Sequence, residues 1–201
     1  MRSAAQAADA SAAGCPRVEV TVPADGAGTA ARAVIRAVAG SATTVVARVH
    51  DALAPDRARA VLHTVAALKA AGCAEISLVE ARPGPGAANT TGALDGSPLH
   101  LRALLQDVVP QADGLPLRLA LRDHHGLGLV NALTAMKSAV RHFDTGLGRC
   151  GGLLPTERLV LLCSRMGVAT PVGPEVPRSW VNELERMRYG RPLPARTAPD
   201  Q

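Results

Sequence analysis

Aromatic residues are almost missing from this chain: Phe143, Trp180 and Tyr189 are the only ones, 1% of 201 residues. That scarcity removes the stacking platforms on which single-stranded nucleic acids are held. It also leaves the core to Ala, Val and Leu, whose small volumes favour close packing of helices on a sheet. Cysteine is sparse, and Cys15, Cys73, Cys150 and Cys163 lack the paired spacing of a zinc knuckle. With no secretory segment ahead of them, the expectation is a reduced, cytoplasmic chain. No apolar run approaches the roughly 20 residues that a membrane helix needs, so no membrane partner is expected. A dense stripe of one charge is absent as well. The formal charge of +5 and the pI near 9.6 come from arginines placed singly along the chain. No nucleic-acid partner is therefore expected, although the same excess suits small phosphate-bearing ligands.

What is present is ordinary for a globular protein, with 47% hydrophobic and 19% charged residues. Short β-branched runs alternate with longer Ala/Leu/Arg segments of helical period, the signature of repeated β-α units around a parallel sheet. Strands are expected near Val18–Val22, Thr44–Val49, Glu75–Glu80, Leu117–Asp123 and His142–Leu147. Helices are expected near Thr29–Val38, Pro55–Ala71, Pro98–Val108 and Gly126–Val140, with another starting near Thr156. Pro55 suits a first helical turn, where its missing N–H costs nothing, and Gly72 suits a helix end. Ala81–Ser97 reads as a long Gly/Pro/Asn/Thr loop after a strand end, either a flexible insertion or part of a ligand site. Residues 1–16 read as a disordered start, 17–172 as the β-α domain, and 173–201 as a Pro-rich tail with an amphipathic stretch from Arg178 to Tyr189.

The segment Leu117–Val160, reading LRLALRDHHGLGLVNALTAMKSAVRHFDTGLGRCGGLLPTERLV, joins a strand, a helix, a second strand and a cysteine-bearing glycine loop. It resembles the 3-hydroxy-3-methylglutaryl-CoA (HMG-CoA) lyases. Those enzymes end a barrel strand with His-x-His-Asp, enter a glycine-led helix, and later carry a Gly-Leu-Gly-Gly-Cys loop before an Ala-Thr-Glu-Asp helix start. The stretch LKAAGCAEISLVEA is similar to the family's helix that ends at Gly-Cys and leads into a Glu-Ile-Ser-Leu strand. The resemblance implies a partial TIM-type barrel built from the later strands of eight. It also implies a divalent cofactor, Mg or Mn, and cleavage of a 3-hydroxyacyl-CoA to acetyl-CoA and a keto acid.

Set in register by Gly126-Leu127-Gly128, the family's two metal-binding histidines fall on Ala120 and Arg122, and its metal-binding asparagine on Leu153. The family's Gly-Asp-Thr becomes Val79, Glu80 and Ala81, and its early Arg-Asp-Gly-Leu-Gln has no counterpart, since Asp25-Gly26 sits in another context. The candidate catalytic residues are Cys150, Asp123, His124 and His125. Cys150 matches the family's loop cysteine, an acid/base, with Arg149 and His142 as sources of a field that favours the thiolate; the alternative is a loop cysteine with no catalytic part. His124 and His125 either form a shifted metal site or divide, one toward the cleft and one toward solvent or the next helix. Adjacent side chains on extended backbone point to opposite sides. The metal ligands themselves stay undetermined. His50 and His63 read as strand-end or surface residues, Cys73 as a small packing residue, and Asp144 as a hydrogen-bonding group at least as much as a catalytic one.

Two functional readings follow. The first is a carbon–carbon lyase of the HMG-CoA lyase kind, acting on an acyl-CoA or a hydroxy or oxo acid. The second is a catalytically degenerate binding or partner protein, or one half of a split lyase. About five parallel units do not close a barrel of eight, so self-association or a companion chain is expected to cover the open edge.

Overall fold

Five parallel strands lie side by side in chain order: β1 (Arg17–Pro23), β2 (Thr44–His50), β3 (Glu75–Val79), β4 (Leu117–Ala120) and β5 (His142–Phe143). The structure, a computed structural model, describes residues 4–26, 29–81, 96–123, 126–148 and 152–189. The helices are α1 (Ala4–Ala12), α2 (Thr29–Ala37), α3 (Ala58–Ala70), α4 (Pro98–Ala112), α5 (Gly128–Lys137), α6 (Thr156–Arg165) and α7 (Glu175–Tyr189). Parallel neighbours need a crossover, and α2 to α5 supply one between each successive pair of strands. This sequential winding is that of a TIM-type barrel carried through five strands, an α/β fold. The chain divides into two compact units, Met1–Asp144 and Thr145–Gln201. All five strands belong to the first; α6 and α7 belong to the second.

In the first unit the core is aliphatic, as the lack of aromatics requires. Val18, Val20 and Val22 alternate with exposed or half-buried residues along β1. Ala47 and Val49 of β2, Ile76 and Leu78 of β3, and Leu117 and Leu119 of β4 continue the same face through the strand register. Leu101, Leu104, Leu105 and Val108 form the buried side of α4, and Val61, Val65 and Leu68 that of α3. Polar ties fix the connections. The buried Thr64 hydroxyl donates to the Ala24 carbonyl at 2.7 Å, pinning α3 to the turn after β1. Cys73 packs at the start of β3, its thiol donating to the Val45 and Glu75 carbonyls.

Four expectations are corrected. The segment read as disordered holds α1 over Ala4–Ala12: Ala is the best helix former, Ala7 is fully buried, and Ser11 is tied to the Thr43 hydroxyl. Strand β4 stops at Ala120 rather than Asp123, because the Arg122 N–H turns to the Glu80 carboxylate instead of a strand carbonyl. Strand β5 is only His142–Phe143. The Asp144 amide still donates to Leu119 O, but Asp144 turns its carboxylate onto Ser77 and Arg118, and the ladder ends there. The tail expected from residue 173 carries helix α7. Within the second unit, Gly146 bridges Pro155, and the Thr145 and Thr156 hydroxyls are bonded at 2.8 Å at the start of α6.

The aliphatic face predicts its own sensitivity. Leu78→Ala, at a fully buried position in the central strand, is expected to lower unfolding free energy by about 2–5 kcal/mol. Leu99→Ala, at a position 78% exposed, is expected to stay within about 0.5 kcal/mol. Urea denaturation of the two variants beside the parent measures both.

Candidate functional site

In parallel α/β sheets chemistry gathers at the carboxyl ends of the strands. Beyond β3 and β4 those ends carry Glu80, Arg122 and Asp123, with Asn131 facing them from α5. Glu80 is 4% exposed, and its Oε2 accepts the Arg122 N–H at 2.7 Å. The Arg122 Nε donates back to the Glu80 carbonyl at 3.1 Å, so carboxylate and guanidinium are drawn to the same strand ends. Asp123 Oδ1 accepts the Gly128 N–H, capping the first turn of α5, where a carboxylate is also favoured by the helix dipole. Asn131 is 1% exposed; its Nδ2 donates to Gly96 O at 2.7 Å, while its Oδ1 accepts no hydrogen bond among the described residues. Gly96 stands at φ 81°, and a Cβ there would come within 2.7 Å of Glu80 Oε1. Only glycine fits between this backbone and that buried oxygen.

Of the candidate residues named from the sequence, Asp123 is placed at this end of the sheet, as a helix-capping group. His124, His125, Cys150 and Arg149 lie outside the described residues, as does most of the loop 81–97. The positions that would carry a divalent ion do not fit one. Ala120 and Leu153 offer no donor atom, and Arg122 brings a positive charge whose Nε is committed to Glu80. A hard cation wants several converging oxygen or imidazole ligands. Among the described residues no three His, Cys, Asp or Glu side chains gather in a way that would hold a metal. No step of chemistry is therefore routed through a metal here.

A second polar cluster went unread in the sequence. It covers the sheet face opposite the aliphatic one. The register aligns Glu19 with Val46, Val46 with Glu75, Arg48 with Ser77, and Ser77 with Arg118, placing all of these side chains on one side. Arg118 grips Glu75 through two bonds, Nε to Oε1 at 3.1 Å and Nη2 to Oε2 at 2.9 Å. Its Nη1 reaches Asp144 Oδ1 at 3.0 Å, and the Ser77 hydroxyl donates to Asp144 Oδ2 at 2.8 Å. Arg48 lies between Glu19 and Asp144, and Arg17 flanks Glu75 at 3.5 Å. Burial works against the charged Arg118, but the Asp144 and Glu75 carboxylates outweigh it and hold its pKa above the ordinary arginine value. Asp144 thus acts as a hydrogen-bonding hub. The sequence signal was a charged residue between apolar neighbours in successive strands: Val-Glu-Val, Ala-Arg-Val, Leu-Arg-Leu and Phe-Asp.

Removing the centre of this cluster leaves two carboxylates facing one another. Arg118→Met is expected to cost about 2–4 kcal/mol of stability near neutral pH. The triple replacement Arg118→Met, Glu75→Met and Asp144→Leu should recover part of the loss, because the three least exposed charges go together while Arg48 keeps Glu19 and the more exposed Arg17 is left to solvent. Thermal unfolding of both variants at neutral pH checks the ordering.

No family model and no curated protein sequence matches this chain. Solved structures do. An HMG-CoA lyase from Acinetobacter baumannii, in complex with coenzyme A and 3-methylmalate, superimposes with a TM-score of 0.73 at 20% identity, over 98% of this chain and 73% of that one. The HMG-CoA lyase of Bacillus subtilis gives a TM-score of 0.73 at 20% identity, over 98% of this chain and 71% of its own. The carboxyl transferase domain of Rhizobium etli pyruvate carboxylase, with pyruvate and biocytin, gives 0.70 at 17% identity, over 97% of this chain and 33% of its own. At these identities the likeness is one of architecture: the chain has the α/β barrel fold shared by HMG-CoA lyases and pyruvate carboxylase carboxyltransferase domains.

Proposed function

We propose that this chain is a carbon–carbon lyase-type protein for an acyl-CoA or a small hydroxy or oxo acid, working without a tightly held divalent ion. The observation that carries the reading is the pairing of Glu80 with Arg122 at the carboxyl ends of β3 and β4, on the fold of enzymes crystallised with coenzyme A, 3-methylmalate and pyruvate. In such a cleavage the bond between the carbinol carbon and the α-carbon breaks, and its electron pair passes to the thioester carbonyl as an enolate. A fixed guanidinium beside that oxygen supplies the positive charge that stabilises it. Cys150 is assigned to the proton transfers and Asp123, His124 and His125 to the polar surround. The net charge of +5 suits the phosphates of a CoA thioester. No described helix is long and apolar enough to cross a membrane, in keeping with a cytoplasmic setting.

A second reading, a partner or binding scaffold without turnover, is favoured by the carbon side chains of Ala120 and Leu153 at ligand positions and by the outer edge of β1. That strand pairs with β2 alone among the described residues. A second copy or a companion chain with the remaining strands would cover that edge.

Calorimetric titration of the purified chain with Mg and Mn is expected to give no tight one-to-one site, and cleavage of 3-hydroxyacyl-CoA substrates is expected to survive EDTA. Tight binding lost in His124→Ala would overturn the metal-free reading and place an ion on the shifted histidines. A folded chain that neither binds metal nor cleaves any thioester would leave the scaffold reading.

The cysteines divide the two readings further. Burial pushes the thiols of Cys73 and Cys163 up, so both stay protonated through neutral pH and gain reactive thiolate only well into the alkaline range. If Cys150 serves as acid/base, its thiolate forms near neutrality, and limiting iodoacetamide at pH 7 should label it well before Cys73 and Cys163. Cys150→Ser should then abolish cleavage while leaving the unfolding midpoint unchanged. Equal, slow labelling, or undiminished cleavage in the variant, would remove that role.

A further inference from the structure

Away from the strand ends, the flank of α4 and the last turn of α5 enclose an open groove with a cavity of about 580 Å³. Leu99, Leu105 and Val109 line it, Leu99 exposed at the rim and Leu105 buried at the floor, with Pro98 and Pro110 also in the lining. Two cations, Arg102 and Lys137, enter the lining and no carboxylate does. Neither cation forms an ion pair among the described residues, unlike Arg57 with Asp25 and Lys69 of α3 with Asp113. The hydroxyls present, Thr134 and Ser138, donate to the Val130 and Thr134 carbonyls of their own helix. The charged donors that remain for an occupant are therefore Arg102 and Lys137. A smaller cavity of about 240 Å³ shares Val109 and adds Arg141 and His142, again without an acid.

This combination selects an occupant by its chemistry. Leu99 is 78% exposed at the rim, so an apolar body laid along the groove covers surface that water otherwise meets. The unpaired cations call for a negative head, and a charge-assisted bond from arginine to a carboxylate is stronger than a neutral one. No aromatic side chain lines the cavity, so nothing there stacks a nucleobase. Its volume lies within the range of about 300–1,000 Å³ common to small-molecule sites. Because the groove is concave, a flat bilayer surface does not reach its floor. We propose that the α4–α5 groove binds a soluble amphiphilic anion, an acyl chain ending in a carboxylate, with the head held by Arg102 and Lys137 and the chain along Leu99, Leu105 and Val109.

Titration calorimetry of the full chain with octanoate, beside 1-octanol of the same chain length, tests this without reference to any thioester cleavage. Saturable one-to-one binding of octanoate is expected, with 1-octanol weaker by about tenfold or more. The double variant Arg102→Ala, Lys137→Ala should lose about tenfold or more, and Leu99→Ser should weaken binding while leaving the circular dichroism melt unchanged. No octanoate binding, equal affinity for the alcohol, or undiminished binding in the double variant would overturn the proposal. Sedimentation with phosphatidylglycerol vesicles in the absence of octanoate uptake would overturn it too, by assigning the cations to a membrane surface.

Discussion

A parallel sheet fed by helical crossovers has to settle both of its faces, and here the second face rests on the Arg118 fork. The first face is aliphatic and buried, as such sheets require. The other carries Glu19, Arg48, Glu75, Arg118 and Asp144, which neutralise one another through short bonds rather than through an apolar filling. Buried or half-buried charges are tolerated only when paired and hydrogen-bonded. Arg118 meets that condition for Glu75 and Asp144 at once. By holding Asp144 it also sets where β5 ends, and so where the chain leaves the sheet for the second unit.

The same logic governs the carboxyl ends of the strands. A divalent ion and an arginine both place positive charge beside a carboxylate, but they do so differently. An ion binds and leaves, polarises several ligands at once, and needs several converging oxygen or imidazole ligands. The Arg122 guanidinium is covalently part of the chain just beyond β4 and presents planar donors fit for a carboxylate or enolate. With Ala120 offering no donor atom at the end of β4, the positive charge beside Glu80 is the fixed one of Arg122.

Much of the architecture was legible before any coordinates. Val18–Val22 and Thr44–Val49 announce strands by β-branched runs, and Pro55 and Gly72 mark the two ends of the helical segment that contains α3, through a missing N–H and a permissive φ. What could not be read depends on contacts distant in sequence. The end of β4 hinges on Glu80, 42 positions before Arg122, taking its amide. Helix α1 was hidden because an Ala/Ser-rich segment looks the same whether or not it finds a surface for Ala7. The site was legible in part. Asp123 was named from the sequence and caps the first turn of α5 at the strand ends, whereas the closeness of Gly96 and Asn131 to Glu80 depends on the fold. The charged face was missed because each Arg or Glu looked like a surface residue until the strand register brought them together.

Sequential strand order has a consequence for how the chain reaches this state. Each strand's partner is the one made just before it, so every pairing closes a loop of one crossover, and no strand waits for a distant segment. Loop-closure entropy is met in small instalments, which shortens the average sequence separation of contacts and favours fast folding for a parallel sheet. A nascent chain can lay down β1 and β2 while later units are still being synthesised. Arg118 and Asp144 arrive last and lock the carboxylates of strands already in place, so the ionic face is completed only when the fifth strand docks.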